Sequence, residues 1–203
     1  MILFWKKNEK RLSLRRIKIA SMIKKNSSLR NMISLVMVFL LSFPFMAQAQ
    51  SIEDVRPWLV EMGQVTPDFQ FTWKDGKTEE IVDYRGKVVM INFFATWCPP
   101  CRAELPRVQE EIWDKYKDHP EFQLFVFGRE EDWDVLDPFI ASTGYTFPIL
   151  PDLQRGIFGQ FATQSIPRNV ILDREGKIIY QSIGYTVPEF DKMLELLEGE
   201  IQK

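Results

Sequence analysis

Between residues 87 and 116 the chain switches its hydrophobic period within a few residues. "KVVMINFFA" at 87–95 is a nearly unbroken apolar run, the pattern of a β-strand covered on both faces. From Cys98 onwards, Leu105, Val108, Ile112 and Tyr116 recur at helical spacing, with Glu, Lys, Arg and Gln between them. Pro99 and Pro100 suit the first turn of that helix, where NH groups have no intrahelical partner. Pro106 predicts a kink inside it, because its missing NH breaks the ladder.

The other segments fit around this strand and helix. "FQFTWKDGKTEEIVDY" has apolar residues on either side of Asp75-Gly76, a pair that favours positive φ, and predicts a β-hairpin. "EFQLFVFGR" at 121–129 reads as a second buried strand, and "DWDVLDPFIASTG" as a helix interrupted at Pro138 and ended at Gly144. "YTFPILPD" gives a short extended piece, and "LQRGIFGQFAT" a short helix or turn. "RNVILDREGKIIYQSIGY" reads as two strands joined around Glu175-Gly176. "VPEFDKMLELLEGEIQK" is a terminal amphipathic helix with Phe190, Met193, Leu194, Leu197 and Ile201 on its apolar face. The order βαβ, αβ, β-hairpin, helix implies an α/β fold with a mixed sheet covered by helices. "SIEDVRPWLVEMGQVTPDF" carries only weak structural signals.

With 203 residues the chain is sized for one well-formed core, and no repeat or second core is visible. The formal charge of −2 hides an asymmetry: residues 1–30 hold ten Lys/Arg and one Glu, so residues 31–203 keep 16 bases and 27 acids, or −11. That balance argues against a nucleic-acid partner. The basic start leads into an uncharged, mostly apolar run, Met32–Met46, and then Ala47-Gln48-Ala49, the shape of a secretory signal with small residues where a signal peptidase reads. Residues 1–49 are therefore expected to be a signal peptide cleaved after Ala49, leaving one domain at 50–203. A retained membrane anchor is the rival reading, disfavoured because about 20 apolar residues are needed to span. The n-region is long, and Met22 is an alternative start. An exported domain would work where disulfides persist.

The chain has only two cysteines, Cys98 and Cys101. As a staple they would close a two-residue loop and constrain the unfolded chain little. As a metal site they fall short of the four ligands that zinc prefers, since His119 is the lone histidine and sits in the apparent loop "YKDHPEF". Dithiol-disulfide exchange is the leading reading. At a helix N-terminus, unsatisfied NH groups and the helix dipole favour the Cys98 thiolate, the attacking species. Cys101, one turn on, lies beneath it and can resolve the mixed disulfide. Pro99 and Pro100 donate no NH to that thiolate, which makes the reduced form less stable and tunes the pair towards a reductant. Glu104, three residues after Cys101, projects from roughly the same helix face and is a candidate proton carrier for the resolving thiol. A Glu in the first turns of a helix can also simply complement the dipole from a solvated face.

"WCPPC" in this setting resembles the thioredoxin superfamily, and more closely its exported TlpA/ResA-like thiol-disulfide oxidoreductases. The resemblance runs from about Gly63 to the C-terminus, through "TPDFQF", "DGKTEEIVDYRGKVVMINFFATWCPPCRAELP" and "SIPRNVILDREGKII". It implies a thioredoxin-like sheet flanked by helices, with an N-terminal β-hairpin addition. Cys98 matches the nucleophile, Cys101 the resolving thiol, Glu104 the acidic residue this branch carries after the second cysteine, and Pro106 the kinking proline. Pro167 matches the cis-proline beside the site, and Ile166 before it would present backbone groups to a bound peptide; Trp97 joins them as a candidate client contact. Asn92 stands where cytosolic thioredoxins carry a buried Asp, which leaves the proton to Glu104.

The resemblance further implies exported thiol or disulfide proteins as clients, apocytochrome c among them, and a DsbD/CcdA-like membrane electron donor. No bound cofactor or tightly bound metal is required, because the cysteine pair is itself the redox group. Arg168 and Asn169 depart from the usual small hydroxyl residues after the proline, and are expected to make the client-facing rim more polar or cationic. "FVFGREED" also departs from the usual small, neutral strand end. The alternatives are a peroxiredoxin-like peroxidase, in which Ala95 stands where that group has a Thr, and a non-enzymatic metal-binding or interaction module.

Overall fold

A computed structural model describes residues 58–203; the expected signal peptide at 1–49 and the first residues of the expected domain lie outside the described residues. Five strands form the central sheet: β3 (Val88–Phe94), β4 (Phe122–Arg129), β5 (Ile149–Asp152), β6 (Arg168–Leu172) and β7 (Ile178–Ile183), in the order β5-β4-β3-β6-β7. β3, β4 and β5 run parallel, while β6 and β7 are antiparallel to their neighbours. The strand read from "KVVMINFFA" is thus central, and every residue of β3 is buried. Period-two alternation sends Val88, Met90, Asn92 and Phe94 to one face and Val89, Ile91 and Phe93 to the other.

The first of these faces receives the helices. The helix after the cysteines comprises α1 (Pro99–Arg107), a π-helical stretch at Val108–Trp113 and a final turn, α2 (Asp114–Tyr116). The disturbance expected from Pro106 takes this form: the exposed proline frees a carbonyl one turn back, and the ladder widens just after it. Leu105, Val108 and Ile112 pack with α3 (Trp133–Thr143), through Leu136, and with α5 (Val187–Ile201), through Phe190, Met193 and Leu197. α3 is not interrupted at Pro138 as the sequence led us to expect. Pro138 lies on the exposed side of the helix, which runs on to Gly144, whose φ of 72° ends it.

The opposite face is covered by aromatics. The expected hairpin is present as β1 (Gln70–Thr72) and β2 (Thr78–Glu80), turning through Gly76 at φ 86°. Phe71 points inward and packs on Phe125, with ring centroids 4.7 Å apart. Phe69, Phe93, Phe127 and Phe161 complete that layer, the last from the short helix α4 (Phe158–Phe161). The weakly patterned segment near Trp58 is tied down as well: Leu59 N donates to the Phe161 carbonyl, and Gly63 and Gln64 exchange hydrogen bonds with Ile178.

Candidate active site

β3 delivers the chain to the site through a tight turn, in which Cys98 N donates to the Ala95 carbonyl at 3.1 Å. Cys98 is the N-cap of α1 and Pro99 and Pro100 occupy its first positions, so the first backbone NH that can reach the sulfur is that of Cys101, 3.3 Å from Cys98 Sγ. The cysteines are joined as a disulfide with Cα atoms 5.3 Å apart. Cys98 keeps 3% of its surface and Cys101 none, so only the first sulfur can be reached from outside. Pro99 and Pro100 are exposed beside it, and Trp97 stands 63% exposed.

Ile166 and Pro167 approach from the loop before β6, joined by a cis peptide bond. The Ile166 carbonyl oxygen lies 3.8 Å from Cys98 Sγ, so the loop and the sulfur form one surface. The structure therefore brings together Trp97, Cys98, Cys101, Ile166 and Pro167. It leaves His119 elsewhere. That residue precedes β4, at the end of the sheet opposite the cysteines, and its ring accepts a hydrogen bond from Glu121 N.

Glu104 lies inside the molecule and not on a solvated helix face; it is 2% exposed. Beneath α1, Asn92, Asn169 and Ser182 are cross-strand partners on β3, β6 and β7 and form a polar row in an apolar layer. Asn92 Nδ2 donates to Glu104 Oε2 at 3.0 Å, and Asn169 Nδ2 donates to Oε1 at 2.7 Å. A further bond of 2.7 Å from Asn92 Nδ2 to Asn169 Oδ1 locks the two amides together. Burial pushes the Glu104 carboxyl up to about 7, only partly opposed by the donors from Asn169 and Asn92. A carboxyl poised there can both accept and return a proton near neutral pH.

Arg168 and Asn169 do not form a polar rim, contrary to the expectation from sequence. β6 lies between β3 and β7 and is buried along its whole length, which turns both side chains inward. Arg168 Nε and Nη2 donate to the carbonyls of Gln164 and Ser165, and its guanidinium lies over Trp58, 4.2 Å from the ring centre. Arg168 thus braces the loop that carries Ile166, while Asn169 belongs to the Glu104 network. Sequence reading also left Glu131 without a role, although the strand end "FVFGREED" stood out as unusual. Its buried carboxylate accepts from the NH and the hydroxyl of Thr96, two residues before Cys98.

Residues 62–181, more than half of the chain, match the profile of the AhpC/TSA family. The chain belongs to the AhpC/TSA family. The thiol-disulfide oxidoreductase ResA of Bacillus thuringiensis (strain Al Hakam) is 31% identical over 144 residues, covering 71% of this chain and 79% of ResA. The thioredoxin-like protein YneN of Bacillus subtilis (strain 168) is 34% identical over 139 residues, 68% of this chain and 81% of YneN. Among solved structures, a candidate protein disulfide isomerase from Bacteroides thetaiotaomicron superposes with a TM-score of 0.70 at 37% identity, covering 73% of this chain and 94% of the other. This AhpC/TSA-family chain therefore has the thioredoxin-like fold, with a close Cys98–Cys101 pair at the point where β3 meets α1, and is an enzyme of the thiol-disulfide oxidoreductase class.

Proposed function

We propose that the protein works outside the cytoplasm as a reductant of disulfides in exported proteins, apocytochrome c being one client class. The Cys98 thiolate attacks one sulfur of the client disulfide; the other client sulfur leaves and takes up a proton. Cys101, giving its proton to Glu104, then attacks Cys98 Sγ and releases the second client thiol. Two electrons pass to the client and the Cys98–Cys101 disulfide remains. A membrane thiol transporter of the DsbD/CcdA kind would return the electrons, and neither cofactor nor metal takes part.

The observation that carries the reductant direction is the start of α1. Two prolines replace two potential donors, so that among the described residues the NH of Cys101 is the one that donates to Cys98 Sγ. A thiolate with few donors is poorly stabilised, which favours loss of electrons from the dithiol. A peroxidase reading has less support: Ala95 has no hydroxyl, and the hydroxyl next along the chain, on Thr96, is committed to Glu131.

The direction can be tested with a peptide carrying a Cys-x-x-Cys-His disulfide. Mixed with the dithiol form of the protein, about one equivalent of peptide should be reduced per chain, read by thiol labelling and mass spectrometry. The reverse flow, with the disulfide form oxidising the reduced peptide and little reduction in the forward direction, would make the protein an oxidant.

A further inference from the structure

Glu131 is a buried carboxylate devoted to one residue of the turn that presents Cys98. Its Oε1 and Oε2 lie 2.9 and 3.1 Å from Thr96 N, and Oε1 accepts the Thr96 hydroxyl at 2.7 Å. Thr96 is the second residue of the turn closed by the bond from Cys98 N to the Ala95 carbonyl. Holding both polar groups of Thr96 fixes the direction in which the chain leaves β3 and enters α1.

The end of β4 is shaped to bring this carboxylate back. Glu130 adopts a φ of 63° and its NH donates to the Asp152 carbonyl, while Glu131 N donates to the Gly128 carbonyl. Gly128 is the cross-strand partner of Phe94, at the end of β3. A Cβ at Gly128 would lie 2.7 Å from Leu136 Cδ2 and 3.4 Å from a Glu131 carboxylate oxygen, so the missing side chain leaves room for both.

We propose that Glu131 is a positioning residue that clamps the Ala95–Cys98 turn and, by its fixed negative charge, disfavours the Cys98 thiolate and so keeps the couple reducing. Both carboxylate oxygens accept from Thr96. Among the ion pairs of the described residues none includes Glu131. The nearby guanidinium of Arg129 pairs instead with Glu130 at 2.9 Å and lies 5.9 Å from the Trp97 ring centre. In a buried setting a like charge near a nascent thiolate is weakly screened and raises its energy.

The inference rests on Cys98 as the attacking thiol and separates positioning from charge. Glu131→Gln can still accept from the Thr96 hydroxyl and NH through its single oxygen, but carries no charge; Glu131→Ala loses both functions. Both are measured in the full chain by equilibration with glutathione buffers, with thermal melting of the disulfide form as the check on folding. We expect Glu131→Gln to melt close to the parent and to shift the equilibrium constant about tenfold towards the dithiol, equivalent to about 30 mV. Glu131→Ala should shift the same way and also slow attack on a small disulfide.

A folded Glu131→Gln protein whose equilibrium constant stays within twofold of the parent, or moves the other way, would overturn the proposal. If that variant does not fold, Glu131→Asp decides: it keeps the charge and should retain the parent equilibrium constant, and a tenfold shift there would equally overturn the proposal. The parent's own value tests the reductant reading, and only the difference between parent and variant tests Glu131.

Discussion

Cys101→Ser should turn the enzyme into a trap that forms one mixed disulfide per chain and goes no further. Cys98 is the only one of the two sulfurs with any surface, and it caps a helix start from which a single NH reaches it. Attack therefore survives removal of the buried partner, whereas release does not, because no second thiol exists to displace the client. Multiple-turnover reduction should fall by at least about 10³-fold, with the client retained on the protein and freed by dithiothreitol. Cys98→Ser should fall at least as far but retain no client. Retention by Cys98→Ser and none by Cys101→Ser would reverse the two roles.

Glu104→Gln should leave attack by Cys98 nearly unchanged and slow release of the mixed disulfide by about 10²-fold or more, the usual scale for loss of a positioned base. In the parent, release should accelerate as pH rises through about 7, where the buried carboxyl becomes able to take the Cys101 proton; the variant should lack that inflection. Stability supplies an independent readout. The folded-state pKa is raised above the ordinary 4.5 to about 7, so the folded protein binds the proton more tightly than the unfolded chain. Glu104's contribution to the stability of the disulfide form should be greatest below about pH 4.5 and decline by about 3 kcal/mol as pH rises to about 7, levelling above. Urea titrations across that window should show the decline in the parent and a flat response from this position in Glu104→Gln. Equal slowing of attack and release would assign Glu104 a structural role.

The parts of this molecule that were legible in sequence are those set by local pattern. An unbroken apolar run became the central strand, Asp75-Gly76 became the hairpin turn, and spacing after Cys98 became the helix that carries both sulfurs and Glu104. What surrounds those groups depends on pairing between distant strands. Asn169 meets Asn92 across 77 residues because β6 lies beside β3, and nothing near Asn169 in the chain signals that register. Arg168 read as a rim residue because an arginine is ordinarily solvated; it is buried here because carbonyls of Gln164 and Ser165 and the face of Trp58 receive its guanidinium. Glu131 was equally hidden, since its partner lies 35 residues away and the contact depends on a single turn after β4. The prolines show the same limit in reverse. Pro106 and Pro138 each announce a missing NH, but nothing in the local pattern tells that the ladder widens after the first and continues past the second.

The proposed reducing character of the Cys98–Cys101 couple is tested most directly by its reduction potential, measured by equilibrating the protein against glutathione or dithiothreitol buffers and quantifying the dithiol. A value near the thioredoxin end of the scale, about −270 mV, is the result expected from the proposal that the prolines and Glu131 work against the Cys98 thiolate. A value near the DsbA end, about −120 mV, would mean that the thiolate is strongly stabilised, and would contradict the assignment of this protein as a reductant.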